Sequence, residues 1–322
     1  MIEKFRFLDA LTYGIRTLFW RPVRAAAYIA ALSLLYAAYY MWAQSDAGMS
    51  FFSDYMQSAA EVATGGSGSF GGQVAALMAG AAIFSCAMIA GAYRVYVRDE
   101  PALRLPLQIG FDELRMLGVY ILTGLIFMGV MLLAMIPLML IIMAVIFLAT
   151  QAGVDFSAAA STPSAAPGIG LILGVMVPMV LFEVYVFGRL SVGFALAIRD
   201  RKFRLGGWNA SKGVGLKLAW AHLALYLVMM LVIALLSPTM ISTMMTAMTD
   251  PAALQDPAAM AAVTVNPYGN AAWLAIPVMS TMTFLMFGPT AAVANWDARK
   301  RAAAAAPAME PAPGVGTGEA GA

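Results

Sequence analysis

Few side chains in this sequence can titrate, ligate or attack from within an apolar setting, and they are easily counted. Glu183 is the only acid well inside an apolar run, 169–198. An ionisable group at that depth costs several kcal/mol unless it is paired or hydrated, so it is a functional candidate by default. Arg189 follows six residues later and lies ten residues short of Arg199, about 15 Å deeper at helical rise. Arg94 holds a similar place near the end of run 72–97. His222, in run 214–237, can carry a proton near neutral pH or serve as a hydrogen-bonded packing residue. Glu183, Arg189, Arg94 and His222 together form the candidate intramembrane polar site. The alternative is that Glu183 pairs to fasten helices while the arginines reach back toward the headgroups.

Other chemistries lack ligands. The chain has 1 Cys and 1 His, so an intramolecular disulfide is impossible and a His/Cys metal site has too few donors. Met128, Met131, Met135, Met139 and Met143 share a helical face, and Met240, Met244, Met245 and Met248 cluster further on. Thioethers can hold Cu(I), but no Cys or His completes such a site, and methionine is also an adaptable apolar filler. No cofactor is expected. No nucleophile–base pair is visible, and the chain is read as non-enzymatic.

The elements that would carry these residues follow from composition. Of 322 residues, 62% are hydrophobic and 11% charged, against about 25% charged in soluble domains. The apolar residues form six runs, at 25–43, 72–97, 117–150, 169–198, 214–237 and 272–294. Each is of the order of the ~20 residues needed to cross the hydrocarbon as a helix. The expected fold is all-α and polytopic, with about six transmembrane helices. Pro137, Pro178, Pro277 and Pro289 are candidate kinks, and the third run has the alternative of a re-entrant pair breaking at Pro137. The 24-residue basic leader before the first run fits an uncleaved signal anchor better than a signal peptide.

Charge gives the direction. All 19 Lys and Arg fall before the first run, between the second and third, between the fourth and fifth, after the sixth, or just inside those run ends. The segments 45–71, 151–168 and 238–271 have none and carry only the acids Asp46, Asp54, Glu61, Asp155, Asp250 and Asp256. Basic loops stay on the cytoplasmic side, so both termini are expected in the cytoplasm of a bacterial inner membrane. The domains read as an amphipathic leader (1–24), a six-span membrane domain (25–298) and a disordered cytoplasmic tail (299–322). The acidic-side loops are too rich in Ala, Ser, Gly and Pro to form a module of their own.

A faint repeat of about 100 residues accompanies this layout. Arg98–Asp99 ends the second run, Arg199–Asp200 follows the fourth, and Asp297 with Arg299 to Arg301 follows the sixth. Short amphipathic stretches precede the odd runs: Phe5, Leu8, Leu11, Ile15, Leu18 and Phe19; then Leu107, Phe111 and Leu114; then, less clearly, the region of Trp208 and Asn209. They would be cytoplasmic in-plane helices at the head of three repeated hairpins. Any six-span protein with cytoplasmic termini would share much of this pattern.

The segment 189–213, RLSVGFALAIRDRKFRLGGWNASKG, adds a resemblance. Arg189, Ser191, Asp200, Ala210, Ser211, Lys212 and Gly213 resemble a pattern in the bacterial six-span membrane domain that accompanies some glycerophosphoryl diester phosphodiesterases, and in stand-alone relatives of it. Ala195 and Leu196 stand where that pattern has a proline. The resemblance implies the six-span layout. It does not imply diesterase activity, because the catalytic domain is missing.

Two functions are therefore expected to compete. One is a non-enzymatic, lipid-facing scaffold or partner-binding membrane module, its partners being membrane lipids, anionic headgroups among them, and not nucleic acid. The other is a small-solute or lipid transporter using a polar site around Glu183 and Arg189.

Overall fold

The computed structural model describes residues 4–63, 72–98, 110–151, 166–237, 241–242 and 266–305. Every regular element among them is helical: α1 (Phe7–Trp20), α2 (Pro22–Ala43), α3 (Asp46–Ala63), α4 (Gly72–Val97), α5 (Phe111–Gln151), α6 (Ala166–Asp200), the short α7 (Gly207–Ala210), α8 (Gly215–Leu236), a 3-10 turn at Gly269–Ala271, α9 (Ala272–Met286) and α10 (Gly288–Ala305). Six stretches are long and apolar enough to cross a membrane: Pro22–Ala43, Ala79–Val97, Phe111–Leu140, Val177–Asp200, Gly215–Leu236 and Ala272–Ala305. The chain is a multi-pass α-helical membrane protein.

Local chemistry sets the helix starts. The Asp9 carboxylate accepts the Arg6 backbone N–H at 3.2 Å and opens α1. Pro22, at the first helical position, begins α2. Asp112 and Glu113 occupy the first turn of α5, where acids favour the positive end of the helix dipole. That helix continues without a break through Pro137 for 41 residues, about 60 Å at helical rise. The third run is therefore a single helix and not a re-entrant pair. Phe111 and Leu114 belong to its first turns instead of a separate in-plane helix, and Leu107 lies outside the described residues.

Two further findings go beyond the sequence reading. The segment after the first span, expected to form no module of its own, carries the helix α3 over 46–63, packed back on α2 through Trp42, Phe51 and Phe52. Its start is so close to α2 that a Cβ on Gly48 would stand 2.2 Å from the Trp42 carbonyl oxygen. The tail expected to be disordered from 299 is helical through Ala305. Most of the remaining acidic-side segments, and the cluster of Met240, Met244, Met245 and Met248, lie outside the described residues.

The spans form two shells. The three even-numbered spans, α4, α6 and α10, touch one another pairwise. Each odd-numbered span lies in a groove between two even ones: α2 between α4 and α9, α5 between α4 and α6, and α8 between α6 and the α9–α10 pair. Three hairpins arranged about a common axis produce this pattern. Small buried residues let the inner spans approach, namely Ala90 and Ala92, Ala195 and Ala197, and Ala291, Ala292 and Ala294. Buried aromatics fill the seam between the first and third hairpins, with their polar tips satisfied. Tyr93 and Thr290 share a hydrogen bond of 2.6 Å, Tyr96 donates to the Phe284 carbonyl at 2.8 Å, and Tyr28 donates to the Met88 carbonyl at 2.9 Å.

The leader helix α1 closes the ring by lying on α10 and α8. Its apolar outer face, Leu8, Ile15 and Phe19, is exposed, and its inner face, Ala10, Gly14 and Thr17, is buried. The crossing needs glycine on both sides, because a Cβ on Gly288 would stand 2.7 Å from the Gly14 nitrogen.

Candidate functional site

At the basic end, arginines tie the hairpins together. Arg21, ahead of α2, donates to the Val95 carbonyl at 2.6 Å and the Arg98 carbonyl at 2.8 Å, both at the end of α4. Arg98 in turn reaches the end of α6, where Nε donates to the Ile198 carbonyl at 2.7 Å. Arg199 of α6 donates to the Ala294 carbonyl of α10. Thus α4 passes a guanidinium to the backbone of α6, and α6 passes one to α10. These two links join residues about one repeat apart, so the faint period of the sequence has a physical counterpart between those spans.

A buried ion cluster fastens the second hairpin to the first. Arg94 meets Glu113 at 2.5 Å, with both side chains 7% exposed, and lies 3.8 Å from Asp112. Arg98 and Arg115 also pair with Asp112, at 2.5 and 2.7 Å. Glu113 Oε2 is buried and has no hydrogen-bond partner among the described residues.

Arg189 has a different setting. Its Nε donates to Ser211 Oγ at 3.0 Å, Nη1 to the Tyr185 hydroxyl at 2.9 Å and Nη2 to the Trp208 carbonyl at 2.7 Å. The guanidinium carbon lies 3.7 Å from the centre of the Trp208 ring. Two glycines make the room. A Cβ on Gly215, at the start of α8, would stand 2.8 Å from Arg189 Cδ, and one on Gly207 would stand 2.6 Å from the Gly193 nitrogen. Arg189 and Ser211, at opposite ends of the segment 189–213, are hence direct partners.

The four residues grouped from sequence separate. Arg189 and His222 are neighbours on the two sides of Gly188, whose added Cβ would be 3.5 Å from His222 Nδ1; His222 itself donates to the Leu218 carbonyl at 3.0 Å, within its own helix. Arg94 belongs to the α4–α5 cluster. Glu183 is exposed and forms no hydrogen bond or ion pair among the described residues. Six residues of helix turn through 600°, so Glu183 points about 120° away from Arg189. Phe187, one turn from Glu183, packs edge-on against Phe127 of α5, while Gly188 and Arg189 face α8 and α7. Sequence proximity had suggested a cluster that helix geometry forbids.

Sequence reasoning did not single out Asp112, Glu113, Tyr185, Trp208 or the carbonyl-bound Arg21, Arg98 and Arg199 as site residues. The doublet Asp112–Glu113 at a run start, a short loop away from Arg94 and Arg98, was the available signal for the first pair. No group of three His, Cys, Asp or Glu able to hold a metal lies together among the described residues. Four methionines of the α5 stripe, Met128, Met135, Met139 and Met143, are exposed on the bundle surface.

Between α1 and α8 runs a groove of about 350 Å³, lined by Phe7, Lys217, Trp220, Leu223, Ala224 and Leu227. It is apolar except at Lys217, whose Nζ donates to the Phe5 carbonyl at 2.8 Å. No protein-family model, curated protein or solved structure matches the chain.

Proposed function

We propose that this protein is a non-enzymatic scaffold of the bacterial inner membrane, with its basic end and both termini in the cytoplasm. The observation that carries this reading is where the basic-end charges go: Arg21, Arg98 and Arg199 bind carbonyls of neighbouring spans, and Arg94 and Arg98 are paired with Glu113 and Asp112. Groups bonded across helices hold a bundle shut at that end; a passage needs such groups facing its lumen. The exposed cations Lys4, Arg6, Lys202 and Lys212 are left for anionic headgroups, at about 1 kcal/mol each near the surface. The apolar groove with Lys217 at one end suits an acyl chain. The Arg189–Ser211 contact supports kinship with the six-span membrane domain that accompanies some glycerophosphoryl diester phosphodiesterases.

One observation favours a second reading, a proton-coupled permease: Glu183 is an acid at depth with no partner among the described residues. Proteoliposomes holding a pH-sensitive dye and a potassium diffusion potential separate the two. The scaffold gives proton flux equal to that of empty liposomes, with or without Glu183→Gln. A flux above that background, lost in Glu183→Gln, overturns the scaffold reading.

A further inference from the structure

The cage around Arg189 holds more donors than acceptors. Arg189 is only 9% exposed, yet its three side-chain hydrogen bonds among the described residues are to a hydroxyl, a phenol and a carbonyl, all neutral. No carboxylate pairs with it among the described residues. A guanidinium has five N–H donors, so one is left on each terminal nitrogen. The Tyr185 hydroxyl accepts from Nη1, and its own proton has no acceptor among the described residues. The first turn of α8 adds to the same potential. Val214, its N-cap residue, supplies no side-chain cap, and Gly215 lies directly against the Arg189 stem. The positive end of a 22-residue helix therefore lies beside a buried cation. Lys212, next to Ser211, is exposed, and its side chain has no partner among the described residues. A buried charge without a counter-ion costs several kcal/mol, and an anion at this point removes the cost.

We propose that Arg189, Tyr185 and the start of α8 form a binding site for one phosphate-type oxyanion. Two remaining guanidinium N–H groups suit a forked contact to two oxygens of one phosphate, and the tyrosine proton suits a third. The anion comes either from a phospholipid headgroup at the basic interface or from free phosphate. The inference does not depend on the scaffold reading, since a permease would hold the same cage.

The full chain in phosphatidylcholine nanodiscs, with and without phosphatidylglycerol, tests it. One arm measures phosphatidylglycerol retained per protein by native mass spectrometry after exchange. The other measures equilibrium binding of radiolabelled inorganic phosphate in the neutral nanodisc. The expected result is one saturable anion per chain in at least one arm; the lipid arm alone identifies a headgroup, and the phosphate arm a free ion. Tyr185→Phe, which keeps the ring, should weaken binding about tenfold, the effect of losing one hydrogen bond to a charged group. Lys202→Gln, an exposed basic-end change outside the cage, should leave it unaltered. Arg189→Lys should abolish it, and if that variant does not fold, Tyr185→Phe decides. Absence of a saturable anion in both arms, or equal binding by wild type and Tyr185→Phe, overturns the proposal.

Discussion

Removing either partner of the Arg94–Glu113 pair should destabilise the bundle, and by unequal amounts. Both side chains are 7% exposed and meet at 2.5 Å, so the contact is dry and short. Breaking a buried pair from one side costs about 3–5 kcal/mol, because the other charge is left uncompensated. The two sides differ here. Glu113→Gln leaves Arg94 with Asp112 at 3.8 Å, which places its cost near the lower end, about 3 kcal/mol. Arg94→Gln leaves Glu113 with no cation among the described residues, where its Oε2 is already without a partner, so its cost belongs near the upper end, about 5 kcal/mol. The double variant Arg94→Gln/Glu113→Gln removes both charges and should cost less than the sum of the single changes by more than 1 kcal/mol. Equilibrium unfolding in mixed micelles of neutral detergent and SDS reads all four species. Additive single changes, or a cost for Arg94→Gln below that for Glu113→Gln, would refute the reasoning.

The glycine contacts give a paired prediction. Gly288→Ala should lower stability by about 1–3 kcal/mol, since its Cβ meets the Gly14 backbone at 2.7 Å and nothing there can yield cheaply. Gly124→Ala, where a new Cβ meets nothing within 4 Å, should be neutral or stabilise by up to about 1 kcal/mol through helix propensity; thermal unfolding in detergent compares the two.

The six spans were legible because their signal is additive. Long apolar runs survive any detail of packing. Contacts between spans were harder to read. A donor such as Arg98 reaches the backbone carbonyl of Ile198, and a carbonyl leaves no mark on sequence because every residue has one. Glu183 and Arg189 were grouped by distance along the chain, whereas the six-residue step turns them to different faces. The Arg189 cage was half visible, because Arg189 and Ser211 stood in the segment 189–213, but Trp208 was read only as part of an amphipathic stretch and Tyr185 lay in the apolar run with nothing to mark it. The helix α3 was missed because its small and polar residues resemble a loop until Trp42 provides an apolar anchor.

Closure of the basic end is the claim on which the scaffold reading stands. Spin labels at Val23 on α2 and Leu216 on α8, both exposed at that end, can be introduced with the buried Cys86 replaced by Ser. Double electron–electron resonance in nanodiscs should then give one distance distribution, the same at pH 5 and pH 8 and in Glu183→Gln. A second, longer population that shifts with pH or with Glu183→Gln would mean that the basic end opens, and it would contradict the account.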